Sequence, residues 1–144
     1  MDVKKIIIHR SESNWGNVKV IDGWHKKRGW DGIGYHYVIE NQFPFPINWI
    51  ERKPNFENDG KIEVGRKFGT RGAHCRGHNH DSVGICIIGM RNFTGKQFAS
   101  LKYLIKKIHK AYPDAEVLGH YELDSKKDGC PQMNMDNLRD QLEI

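Results

Sequence analysis

Cysteine is scarce in this sequence: three among 144 residues, Cys75, Cys86 and Cys130. So small and odd a number makes no disulfide framework and suits a reducing compartment. None is needed, because a chain of this length buries roughly 70% of the surface its unfolded form exposes. Long apolar runs are also missing. The strongest, Ile85–Ile88, is far short of a membrane span, and the mean hydropathy is −0.71. The amino end, MDVKKIIIHRSES, has only three consecutive isoleucines and does not read as a signal peptide, which sets an expectation of cytoplasmic synthesis. There is no internal repeat, no low-complexity tract and no run of five like charges. A hydrophobic fraction of 38%, with six Phe, five Tyr and four Trp, excludes a disordered chain.

What is present in excess is positive charge and histidine. The net charge is +5 and the pI near 9.1, with basic clusters at Lys26-Lys27-Arg28, Lys106-Lys107 and Lys126-Lys127. An anionic partner, nucleic acid or cell surface, is compatible with this balance, but so is a solvated basic surface. Eight histidines are a high count for the length.

The hydrophobic pattern reads as an α/β fold, one mixed central sheet flanked by helices, with residues 1–144 as a single domain. Lys4–His9 reads as a short buried strand and Tyr35–Glu40 as a second, alternating one. Between them, Asn17–Arg28 reads as a helix with Val20, Ile21 and Trp24 on one face. Residues 41–58 carry three of the five prolines and read as a long loop with one helical turn near Ile47–Arg52. Asn58-Asp59-Gly60 is a turn signal leading into strand Lys61–Gly65. Val83–Gly89 is nearly all apolar, as expected of a central strand buried on both faces. Thr94 with Gln97 makes a capping box. The helix it opens places Phe98, Leu101, Leu104, Ile105, Ile108 and Tyr112 on one stripe until Pro113 stops it. Strand Glu116–Leu118 and a helix near Asp136–Leu142 complete the chain.

The densest group of metal-ligand side chains is His74-Cys75-Arg76-Gly77-His78-Asn79-His80. Its spacing argues against a closed zinc knuckle, because no second ligand pair follows. His9 at the end of the first strand, and His120 ten residues before Cys130, are weak signals singly. They gain force only if their strands are neighbours. Cys86, inside the apolar strand, is expected to act as a small hydrophobe, and Cys75 is expected to be equally dispensable.

Several blocks along the chain resemble the zinc N-acetylmuramoyl-L-alanine amidases, a family that includes phage lysozyme-type amidases and peptidoglycan recognition proteins. They are Ile7-Ile8-His9-Arg10-Ser11, Ile21-Asp22-Gly23-Trp24-His25, Gly34-Tyr35-His36-Tyr37, Asp59-Gly60 to Arg66, Gly72-Ala73-His74 to Asn79, Ser82-Val83-Gly84-Ile85, and Gly119-His120 with Cys130-Pro131. The resemblance implies a Zn2+ ion held by His9, His120 and Cys130, with a fourth position open to water as in catalytic zinc sites. It implies cleavage of the amide between N-acetylmuramic acid and the L-alanine of the stem peptide. Tyr35 would position or deprotonate the attacking water, and His74 and Asn79 would line the substrate cleft. His36 is expected to face away from Tyr35 by strand alternation and to be structural.

Two departures stand out. Phage-type members place a lysine two residues before the cysteine ligand, where this chain has Asp128 in a segment about two residues longer. Lys127 is the expected replacement for stabilising the oxyanion. The second departure is the loop Gln42–Asn58, where relatives have a tight hairpin. Its Phe43, Phe45, Trp49 and Phe56 suggest a groove wall beside the zinc, with Trp49 offering a flat face to substrate. The resulting expectation is a monomeric, endolysin-like enzyme acting on peptidoglycan after release, with neither nucleic acid nor membrane as partner. A non-catalytic peptidoglycan-binding module of the same fold is the alternative, disfavoured by the presence of Cys130.

Overall fold

A computed structural model describes residues 1–144. Its frame is one five-stranded sheet of β1 (Lys5–Arg10), β2 (Tyr37–Ile39), β3 (Ile62–Val64), β4 (Ser82–Ile87) and β5 (Glu116–Gly119), in the order β3-β2-β4-β1-β5. The pairs β2–β4, β4–β1 and β1–β5 are parallel, and only β3 at the edge runs antiparallel. β4 takes the middle position, and all six of its residues are buried. That is the fate of an apolar run covered on both faces.

Alternation along the strands separates two cores. Ile6 and Ile8 of β1, with Val83, Ile85 and Ile87 of β4, face α3 (Gly95–Ala111) and α4 (Met135–Leu142). There they meet Leu101, Leu104, Ile105 and Ile108, the stripe expected from the helical period, each contributing about 1.5–3 kcal/mol by burial. Phe98 and Tyr112, expected on the same stripe, are only half-buried at its ends. Thr94 and Gln97 form the capping box that starts α3. On the opposite face Val38, Cys86 and Ile88 pack under α1 (Val18–Lys27) through Ile21. His9 shares that face by the period of two. No helix is long and apolar enough to cross a membrane.

The regular strand starts at Tyr37, and the backbone before it is already tied to its neighbours: His36 N–H donates to the Gly84 carbonyl and Gly65 N–H to that of His36, both at 2.9 Å. The rings of Tyr35 and His36 both approach that of His74, at 6.5 and 5.8 Å between centroids. His36 is nevertheless a structural residue. Its Nδ1 accepts the Gly84 backbone N–H at 3.1 Å, so its Nε2–H donates to the Thr70 carbonyl at 2.7 Å.

The segment 41–58 contains α2 (Pro46–Ile50) and a short helical turn, Phe56–Asn58. It is anchored at both ends. Gly16 N–H donates to the Phe43 carbonyl, Asn17 Nδ2 to the Pro44 carbonyl, and Gly60 N–H to the Glu40 carbonyl. Glu40, at the end of β2, is 1% exposed. Burial and the neighbouring Glu63 carboxyl push its pKa up to about 8. The folded state therefore keeps a proton that the unfolded chain releases at ordinary carboxylate pH. The stabilisation is fully present below the unfolded pKa and is lost as pH rises toward 8. Glu40→Gln retains the acceptor for Asn58 Nδ2 and removes the charge. The variant should be more stable than the wild type at pH 9 by about 1–2 kcal/mol, solvent screening taking up the rest of the shift. Near pH 4 the two should converge. Thermal melts across that range check this, and a difference independent of pH would contradict it.

Candidate metal centre

The parallel register puts the ends of β1 and β5 side by side, Ile8 opposite Gly119, so His9 and His120 leave adjacent strands at the same level. Cys130 is brought to them by a closed loop. The Tyr121 N–H donates to the Cys130 carbonyl at 2.8 Å, joining the backbone beside one residue to that of the other. Within the loop, Cys130 N–H donates to the Lys127 carbonyl and Lys127 N–H to that of Asp124. The turn carrying His120 is held from outside by a fork. Arg139 pairs with both Glu122 oxygens at 2.8 and 3.0 Å, and Glu122 accepts the Gly119 N–H. Burial opposes ionisation of Glu122, but Arg139 and the Gly119 N–H outweigh it and hold its pKa below the usual range.

One donor atom from each of His9, His120 and Cys130 lies within 4.8 Å of the others, and this is the molecule's one such cluster of His, Cys, Asp or Glu. His9 Nδ1 is 3.8 Å from Cys130 Sγ, and its other nitrogen, Nε2, is 2.8 Å from His74 Nδ1. Burial, and then the neighbouring His74 and His120, keep His9 neutral at ordinary pH. Burial followed by Lys127 does the same for His120. Burial also raises the Cys130 thiol, opposed by the Arg10 backbone N–H and charge. Two neutral imidazoles and one sulfur form a donor set suited to a borderline-soft divalent metal.

The cluster lies on the floor of a cleft of about 560 Å³ on the α1 side of the sheet. The Tyr35 ring is 5.0 Å from that of His9. Burial, and then the charges of the Cys86 and Cys130 thiols, raise the Tyr35 pKa well above the usual value. Cys86 is a buried core residue, as expected. Lys127 lines the cleft, whereas Lys126 and Asp128 do not. The helical turn Ser125–Lys127 rotates successive side chains by roughly 100–120°, so only one of the three faces inward.

One expected substrate residue is placed differently. Trp49 lies outside this cleft, in a second cavity of about 260 Å³ with Phe43 and Thr94. Its ring meets Phe43 edge-on at 5.2 Å, and the Arg52 guanidinium covers it at 3.9 Å, so it offers no free face beside the metal centre. Asn79 reaches the cleft wall, but its Oδ1 accepts the backbone N–H groups of His74 and Cys75 at 2.9 and 3.0 Å. It clamps the loop that carries His74.

The aromatic walls missed in the sequence are Trp24 and Trp30, either side of the end of α1. Their six-residue separation across Arg28-Gly29 was the available signal. His25 stacks edge-on with Trp30 at 4.6 Å and accepts the Gly34 N–H at 2.9 Å, fixing the segment that enters Tyr35. Burial, with Arg28 and Arg66, lowers the His25 pKa to about 4. Charge in the cleft is mainly positive: Arg10, Arg28, Arg71, Arg76 and Lys127 against Glu12 and Asp124.

A sequence profile described as N-acetylmuramoyl-L-alanine amidase matches residues 1–133. Among curated relatives, the endolysin of Escherichia phage T7 is 30% identical over 135 residues, 88% of this chain and 77% of that protein. The N-acetylmuramoyl-L-alanine amidase LysC from Clostridium intestinale URNW superimposes with a TM-score of 0.81 at 27% identity, covering 100% of this chain and 87% of the other. A Drosophila PGRP-LB mutant in complex with tracheal cytotoxin gives a TM-score of 0.70 at 27% identity, over 90% and 75% of the two chains.

Proposed function

The chain belongs to the N-acetylmuramoyl-L-alanine amidase family, and from that premise we propose that a zinc ion held by His9, His120 and Cys130 serves its amide hydrolysis. The scissile bond joins N-acetylmuramic acid to the L-alanine of the stem peptide. The observation that carries this reading is the convergence of the three donors within 4.8 Å on the floor of an open cleft. A zinc ion held by these three side chains would supply Lewis acidity for the scissile carbonyl and would lower the pKa of water in the cleft toward ~7.

The protein's own groups do the rest. The Tyr35 hydroxyl, on a cleft-lining ring 5.0 Å from that of His9, orients the attacking water and holds a proton at its oxygen. Lys127 stands over the cleft, where its ammonium offsets the negative charge growing on the carbonyl oxygen as the tetrahedral intermediate forms. Arg28, Arg71 and Arg76 attract the carboxylates of a peptide stem. Trp24 and Trp30 supply apolar faces for sugar and peptide. Action as a monomer and action as a lysin on the cell wall after release belong to the same reading, the second supported by the phage relative.

Purified peptidoglycan treated with the enzyme should gain free L-alanine amino termini and no new reducing sugar ends. New reducing ends would replace the reading by glycosidase chemistry, and binding with neither product would identify a binding module. Within the cleft, Lys127→Ala should lower kcat by about 10²-fold with KM little changed. Lys126→Ala and Trp49→Ala should retain the wild-type rate. Steady-state kinetics on a soluble muropeptide checks all three, and equal dispensability of both lysines would remove Lys127 from the mechanism.

A further inference from the structure

We propose that His74 is a positioning residue for the metal ligand His9, and that Ser82 anchors it in turn. The inference rests on the metal reading above. His9 Nε2 and His74 Nδ1 are 2.8 Å apart, and one proton lies between them. If His74 supplied it, the proton of neutral His9 would sit on Nδ1 and point at Cys130, leaving no lone pair for a metal on that side. If His9 supplies it, His9 Nδ1 is free toward Cys130 Sγ, 3.8 Å away. His74 then carries its own proton on Nε2, where Ser82 Oγ accepts at 3.2 Å. The chain Ser82–His74–His9 therefore has one protonation pattern compatible with ligation. Ligating histidines commonly donate their second N–H to a fixed acceptor, which sets tautomer and ring orientation.

The surroundings hold the His74 ring for this task. The sheet gives up a side chain beneath it: a Cβ added at Gly84 would stand 2.5 Å from the ring, and one at Gly72 2.6 Å. Asn79 Oδ1 ties down the backbone N–H of His74 and of Cys75. Ser82 is fully buried at the start of β4. Each support acts on the ring or its backbone, and the ring meets His9 edge-on at 4.9 Å between centroids.

The test is zinc affinity by competition with a chromophoric chelator, alongside the spectrum of the cobalt-substituted protein. His74→Phe keeps a ring in the cradle but removes the acceptor, and should weaken zinc binding about 10–100-fold and shift the cobalt bands. His74→Asn restores an acceptor near the same point and should recover most of the affinity. Ser82→Ala should weaken binding in the same direction but less. Wild-type zinc affinity in a folded His74→Phe, or a fall confined to kcat at saturating zinc, would overturn the proposal. If His74→Phe does not fold, Ser82→Ala decides, and unchanged affinity there overturns it. Failure of the wild type itself to bind zinc would instead refute the metal reading.

Discussion

Cys130→Ser is expected to abolish amine release from peptidoglycan and to purify without stoichiometric zinc, while remaining folded. One ligand's share of the ~10–16 kcal/mol that a whole protein zinc site contributes is about 3–5 kcal/mol, or roughly 10²–10⁴-fold in affinity. The fold does not depend on that share. The strand that carries His9 and the one that ends just before His120 are built into a sheet covered by Leu101, Leu104, Ile105 and Ile108 on the other face, and the Cys130 loop is closed by backbone hydrogen bonds to Tyr121 and Lys127. Metal analysis, circular dichroism and the amine assay on one preparation check all three points. A folded variant that keeps one tightly bound zinc and the wild-type rate would remove Cys130 from the ligand set.

Tyr35→Phe is expected to leave zinc content and melting temperature nearly unchanged and to lower kcat by about a hundredfold. That is the size typical of deleting one positioned proton-transfer or oxyanion group. The ring's packing survives the change: its contacts with His9 at 5.0 Å and His25 at 5.4 Å do not involve the hydroxyl. What is lost is the phenolic oxygen alone. Because this hydroxyl contributes most in the transition state, the loss should appear in kcat with KM little moved. A rise in KM at constant kcat would make Tyr35 a binding residue only.

The sheet and its flanking helices were legible because their signals are local. The apolar run of β4, the capping box at Thr94 and Gln97, and the stripe of α3 each act through neighbours in sequence. The convergence of His9, His120 and Cys130 was not legible from spacing, since it depends on β1 and β5 being adjacent. Resemblance supplied it, and the register now gives its physical basis. The loop 41–58 was misread for a related reason. Its aromatics suggested a substrate wall, but Asn17 and Gly16 tie it away from the metal centre, and Arg52 already occupies the face of Trp49. Trp24 had been read as part of the buried face of α1, and it shares the cleft wall with Trp30. Lys127 was already the choice from its place near Cys130, and the turn Ser125–Lys127 now gives the reason that it lines the cleft while Lys126 and Asp128 do not. His74 and Asn79 were found in the right neighbourhood, but their hydrogen bonds to His9, Ser82 and the loop backbone needed coordinates.

The most direct test of the central claim is a titration of zinc into chelator-stripped protein, following release of L-alanine amino termini from a soluble muropeptide. The rate should start near zero, rise in proportion to added metal and saturate at one zinc per chain. A stripped protein that already turns over at the full rate, or one that stays inactive at every zinc concentration while remaining folded, would contradict a hydrolytic centre built on His9, His120 and Cys130.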